Sequence, residues 1–165
     1  MNGGLMKLHY VIPAYDLTCA GEASSSVKKV LVQLGIEPAL VKKTAISMYE
    51  AEINAVIHGG GGTADVEIDS EKIVVSISDK GPGIPDLELA MQEGYSTASD
   101  EIREMGFGAG MGLPNIKRYS DVLDIRTEVG KGTTVTMTVF LNEAGQKARK
   151  AEETAYLTRY ECDAR

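Results

Sequence analysis

Cysteine is scarce in this 165-residue chain: Cys19 and Cys162 lie near opposite ends, without metal-ligand spacing. A disulfide framework or a structural zinc site needs more cysteines at closer spacing, so both are expected to be reduced thiols. No apolar run approaches the roughly 20 residues that a membrane helix needs. Residues 1–7 lack the apolar stretch of a signal peptide. Cationic patches are also missing. The net charge is −7, and the densest basic group, residues 147–150, falls in a polar tail. A protein that neutralises phosphate backbones carries a basic face. The expectation is a cytoplasmic chain that engages neither membrane nor nucleic acid.

The familiar phosphate motifs are absent as well. A G-x-G-x-x-G dinucleotide fingerprint starting at Gly106, Gly108 or Gly110 would need glycine at Met111, Leu113 or Asn115. There is no G-x-x-x-x-G-K-[ST] loop, since Lys131 is followed by Gly132. Neither His-Arg-Asp nor Asp-Phe-Gly occurs, which removes the eukaryotic-type protein kinases.

What remains is a globular composition, 43% hydrophobic and 25% charged, at a length that fits one domain. Residues 7–12 form a strand candidate stopped by Pro13. Apolar residues recur at helical spacing from 16 to 34, ending at Gly35, and again from Pro38 to about His58. The period then changes to two, through Ala64, Val66 and Ile68, and through Ile73, Val75 and Ile77. The turn at 69–71 makes these a hairpin. Residues 79–107 are rich in Gly, Pro, Ser and charge, too long for an ordinary connection, and are expected to form a lid or binding loop. A helix at 112–119, a strand at 122–127, a turn and a strand at 133–141 follow. Residues 142–165 are predicted to be a polar helical tail, with Asn142 as its cap and Glu143 spaced to pair with Lys147. This order predicts an α+β fold: a mixed, mainly antiparallel sheet with helices on one face.

Three patterns carry candidate chemistry. Glu50 and Asn54 are four apart, on one face of the second helix; Asn offers a neutral oxygen to Mg²⁺, and Glu can deprotonate a nucleophile. Glu52 is a further acid between them. Asp79-Lys80-Gly81-Pro82-Gly83 follows a strand, where the aspartate can accept from an amino group and the glycines admit a ligand close to the backbone. The run from Gly106 to Gly112 opens a helix, and its exposed N–H groups make an anion site. Each also has a plain structural reading, as an exposed stripe, a turn or a hinge. Gly130-Lys131-Gly132-Thr133-Thr134, alone, is a turn.

In this order the four pieces resemble the GHKL ATP-binding superfamily, which takes in gyrase, the ninety-kilodalton chaperones, histidine kinases and the MutL repair proteins. Glu50 to Asn54 matches the N box, Asp79 to Gly83 the first glycine box, Gly106 to Gly112 the second, and Gly130 to Thr134 the last. Residues 108–118 resemble the switch kinases of bacterial stress modules. The helix 47–59, with His58-Gly59 after the N box, resembles both these and the anti-sigma factor serine kinases.

The resemblance implies a two-layer Bergerat fold with an ATP lid over residues 1–141, followed by the tail. It implies ATP and Mg as cofactors, with Asn54 holding the Mg²⁺ and Glu50 taking the hydroxyl proton of a protein substrate. Asp79 would bind the adenine amino group, with Gly81 and Gly83 shaping that pocket. Gly106, Gly108, Gly110, Met111, Gly112 and Leu113 would contact phosphates, and Thr133 or Thr134 would close the adenine end. Arg103 would stand near the terminal phosphate, at an offset one residue different from the family pattern. The implied activity is serine/threonine phosphorylation of a regulatory partner such as an anti-sigma antagonist, by a homodimer that also binds a sigma factor. Two alternatives stay open: an ATP-dependent binding module without phosphotransfer, and a stand-alone histidine-kinase-type ATPase domain.

Overall fold

A computed structural model of the chain describes residues 4–143 together with 145 and 147. The elements run β1 (Met6–Ile12), α1 (Glu22–Gln33), α2 (Pro38–Ile57), β2 (Gly62–Ile68), β3 (Lys72–Ser78), α3 (Leu87–Ala90), α4 (Asp100–Glu104), α5 (Gly112–Tyr119), β4 (Val122–Glu128) and β5 (Gly132–Phe140). The five strands form one sheet in the order β1-β2-β3-β5-β4. The sheet expected to be mixed and mainly antiparallel is antiparallel at all four ladders.

Period-two alternation sends one set of side chains to each face of the sheet. Ala64, Val66 and Ile68, Ile73, Val75 and Ile77, and Val135, Met137 and Val139 are buried on one of them. Val27 and Leu31 of α1, Met48 and Val56 of α2 and Ile116 of α5 join the same core. The helices therefore form a single layer. The other face pairs polar side chains across strands: Lys7 with Glu67 at 2.8 Å, His9 with Asp65 at 2.6 Å, and Ser76 with Thr136 at 3.1 Å. The 69–71 turn is closed by Asp69, whose Oδ1 accepts from the N–H groups of Glu71 and Lys72 at 2.7 and 2.9 Å.

Helix α1 begins six residues later than its apolar spacing predicts. Residues 13–21 form turns, and Gly21 enters the helix at φ 95 with no cap from its own side chain. The cap comes from α2. Glu52, only 2% exposed, accepts the N–H groups of Gly21 and Ala23 on Oε1 at 3.0 and 3.1 Å, and that of Ser24 on Oε2 at 2.9 Å. Three donors at a helix N-terminus, where the dipole favours negative charge, make burial of this carboxylate tolerable. Further along α2, Lys43 pairs with Asp121, whose other oxygen accepts the Phe140 N–H at 2.8 Å, tying the helix layer to the sheet.

After β5, the Gly145 N–H donates to Asn142 Oδ1 at 2.8 Å, and Lys147 lies 3.7 Å from Glu143, as the spacing predicts. The rest of the expected tail helix lies outside the described residues.

Glu52→Ala is expected to lower stability by about 3 kcal/mol, because three N–H groups at a buried helix start lose a charged acceptor. Glu52→Gln, keeping one acceptor oxygen, is expected to lose about half as much. Urea denaturation of the two variants beside the wild type checks both.

Candidate functional site

Glu50 and Asn54 point from α2 toward α5, on the opposite side of the helix from Glu52. Asn115 Nδ2 donates to Glu50 Oε1 at 3.1 Å. One turn along, a Cβ placed on Gly112 would stand 3.1 Å from both amide atoms of Asn54, so the absence of a side chain at Gly112 lets that amide reach the start of α5. The Asn54 side chain itself has no hydrogen bond among the described residues. Met111, the N-cap residue of α5, supplies no side-chain cap. The N–H groups of Gly112 and Leu113 thus remain as donors at a helix N-terminus, while Pro114 has none to offer. Upstream, Gly106, Gly108 and Gly110 all have positive φ.

Asp79 closes the other end of the site. Its Oδ1 accepts from the Gly81 N–H at 2.9 Å and the Thr133 N–H at 3.3 Å, and its own N–H donates to the Thr133 carbonyl at 2.9 Å. Oδ2 has no hydrogen bond among the described residues. This knot exists because Gly132 has no side chain. At φ +128, a Cβ there would sit 2.1 Å from the Asp79 carbonyl oxygen. The loop beyond is held by Thr127, whose Oγ1 accepts the Ile84 N–H at 2.8 Å and lies 2.9 Å from Thr133 Oγ1. Gly83 packs against the Glu128 carbonyl on this same turn. Nearby, desolvation holds the His58 imidazole below the ordinary histidine value, outweighing the pull of Asp79.

Two expected residues are not brought into this arrangement. Strand parity puts Thr134 on the opposite face of β5 from Thr133, where its hydroxyl pairs with Ser78 at 2.9 Å. Thr133 is therefore the threonine that borders Asp79. Arg103, on α4 within the lid, donates from Nη2 to the Ser96 carbonyl at 3.1 Å. It makes no hydrogen bond or ion pair with Glu50, Asn54 or α5 among the described residues. The lid meets the glycine run elsewhere: the Gly94 N–H donates to the Gly110 carbonyl at 2.9 Å, and Arg118 of α5 pairs with Glu93 at 3.3 Å. Asn115 and Thr127 are the functional neighbours that motif reading passes over. Asn115 is visible in the sequence only as the third residue after Gly112, and Thr127 only as a strand end.

The family model described as histidine kinase-, DNA gyrase B- and HSP90-like ATPase matches residues 47–143, more than half of the chain. The chain belongs to this ATPase family. Within it, the chain is 38% identical over 104 residues to an anti-sigma F factor of Thermoanaerobacter sp. (strain X514), a match covering 60% of this chain and 68% of that protein. It is 29% identical to the serine/threonine-protein kinase RsbT of Bacillus subtilis, over 76% of this chain and 89% of that one. With an anti-sigma F factor of Pasteuria penetrans it shares 32% identity over 80% and 91% of the two chains. Two solved structures share the fold at low identity. The RsbU and RsbW domains of a Mycobacterium tuberculosis protein match at TM-score 0.56 and 17% identity, over 81% of this chain and 32% of that one. The SiaB–SiaC complex of Pseudomonas aeruginosa matches at 0.53 and 14%, over 80% and 88%.

The antiparallel sheet with its layer of helices agrees with the fold of both solved structures. In chain order the site has an unengaged amide at Asn54, an open acceptor oxygen at Asp79 and an uncapped helix start at Gly112.

Gly132→Ala is expected to cost about 3 kcal/mol or more, since both the positive φ and the 2.1 Å approach to the Asp79 carbonyl must be relieved. Gly130→Ala, with positive φ but nothing within 4 Å of the new carbon, is expected to cost about 1 kcal/mol. Equilibrium unfolding of the two variants measures the difference.

Proposed function

We propose that the chain is a cytoplasmic Mg-ATP-dependent protein serine/threonine kinase of the anti-sigma factor and switch-kinase type, which binds a regulatory partner protein and phosphorylates it. The observation that carries this reading is the pairing of Glu50 and Asn54, one turn apart, against the uncapped start of α5. A binding site alone needs no carboxylate there. The similarity to a relative named as a serine/threonine-protein kinase and to anti-sigma F factors supports the same reading.

In this proposal Asp79 Oδ2 accepts from the adenine amino group, and Thr133 with the Gly81 and Gly83 turn borders the base. The run 106–112, with Leu113, receives the phosphates. Asn54 would hold Mg²⁺, which neutralises phosphate charge. Among the described residues no group of three His, Cys, Asp or Glu could hold a metal, so the remaining ligands would be phosphates and water, as is usual for this ion. Glu50 takes the proton from a serine or threonine hydroxyl while that oxygen bonds to the γ-phosphorus and ADP departs. Catalysis of this kind is mostly positioning and charge stabilisation. The partner would be of the anti-sigma antagonist type, and the chain would act as a homodimer that also engages a sigma factor.

A second reading is an ATP-dependent binding module without transfer. Arg103 favours it, because its guanidinium is engaged inside the lid rather than beside Asn54. A histidine-kinase-type domain is less well supported: His9 pairs with Asp65 on the sheet and His58 ends α2, neither on a helical hairpin.

Purified chain, labelled ATP and the partner recovered by an ATP-dependent pull-down discriminate these readings. Transfer to the partner is expected, with Glu50→Gln reducing it by about 100-fold or more while ATP still binds. Transfer that survives Glu50→Gln would remove Glu50 as base; tight ATP binding without transfer would favour the module. Asp79→Asn keeps the oxygen that the Gly81 and Thr133 N–H groups need but replaces the open acceptor by an amino group. Its ATP affinity by calorimetry is expected to fall about 10-fold or more, about 1.4 kcal/mol, with little change in melting temperature.

A further inference from the structure

Asn115 stands in the first turn of α5 and donates from Nδ2 to Glu50 Oε1 at 3.1 Å. An ionised carboxylate only accepts, so the amide nitrogen is the atom that faces it. The bond joins the helix that starts at the glycine run to the helix that carries the N box. The two helices meet in antiparallel order here: Glu50 with Asn115, and Asn54 with Gly112. Both residues of the Glu50–Asn115 pair are half-buried. Asn115 is the one hydrogen-bond partner of the Glu50 carboxylate among the described residues.

We propose that Asn115 is the positioning residue for Glu50, a role that rests on the kinase reading above. A glutamate has three rotatable side-chain bonds, and a half-buried one without a partner samples several rotamers. Fixing Oε1 through Asn115 leaves Oε2 as the lone-pair site turned toward an incoming hydroxyl. That proton passes to Oε2 as the hydroxyl oxygen bonds to the γ-phosphorus and ADP leaves, and Asn115 keeps its own protons throughout. Because Asn115 lies three residues beyond Gly112, whatever seats α5 against the phosphates also sets the base. Occupancy of the phosphate end and orientation of Glu50 are therefore coupled through one short helix. Misplacing a reacting group by about 1 Å costs on the order of 100-fold in rate, which makes one such bond worth keeping.

The test uses the full chain with Mg-ATP, following turnover with water as acceptor and with the partner protein recovered as above. Asn115→Leu has a similar volume and no donor; Asn115→Gln keeps the amide on a longer stem. Asn115→Leu is expected to lower kcat about 10- to 100-fold, while KM for ATP and affinity for a fluorescent ATP analogue stay within about threefold. Asn115→Gln is expected to recover part of the loss. In a Glu50→Gln background, Asn115→Leu should cost nothing further, since two residues acting as a unit are non-additive. Wild-type turnover that Asn115→Leu leaves intact overturns the role of Asn115 alone. So does an additive loss in the Glu50→Gln background, or a loss confined to ATP affinity. A wild type that binds the analogue and turns over no ATP overturns the kinase reading and this inference with it.

Discussion

One carboxylate oxygen, Asp79 Oδ1, organises one end of the candidate site. It receives the N–H groups of Gly81, two residues on in its own turn, and of Thr133, at the start of β5. The end of β3, the first glycine box and the last one are thereby bound at a single atom. The knot closes because Gly132 allows backbone to lie where a side chain would collide. Its consequence is chemical: with Oδ1 committed to the fold, Oδ2 is held in place yet unengaged, as a recognition group must be. In the proposed site, fold and ligand would share one side chain without competing for the same atom.

Helix α2 divides its labour in a similar way. Within five positions it carries Glu50, Glu52 and Asn54. Helical geometry turns the middle one away from the other two. Glu52 is consumed in capping α1, while Glu50 and Asn54 face α5. The same helix is thus anchored on one side by a buried carboxylate and presents the candidate site groups on the other. Rigid placement of this kind is what a phosphoryl-transfer site requires, since little of its rate comes from anything but position and charge.

Much of this was legible in the residues. Alternation marked the β2–β3 hairpin, because one face of each strand is buried and the other is wet. The glycines and acids of the candidate site stand out through order and spacing, since only local sequence is needed to form a turn or a helix start. What failed to show depended on distant partners. Helix α1 begins late because its cap, Glu52, is about thirty residues away and no local residue signals it. Thr133 and Thr134 differ only in strand parity, which the register with β3 decides. Arg103 turns inward because the lid folds on itself, with α3 and α4 inside a segment read as loop. Asn115 became visible only when α5 was laid against α2.

The most direct measurement is the crystal structure of the chain grown with a non-hydrolysable ATP analogue and Mg²⁺. The adenine amino group is expected within hydrogen-bonding distance of Asp79 Oδ2, the phosphates at the start of α5, and the cation on Asn54 with the Glu50–Asn115 bond intact. A nucleotide bound elsewhere, or bound here with Asp79 Oδ2 still unengaged, would contradict that placement.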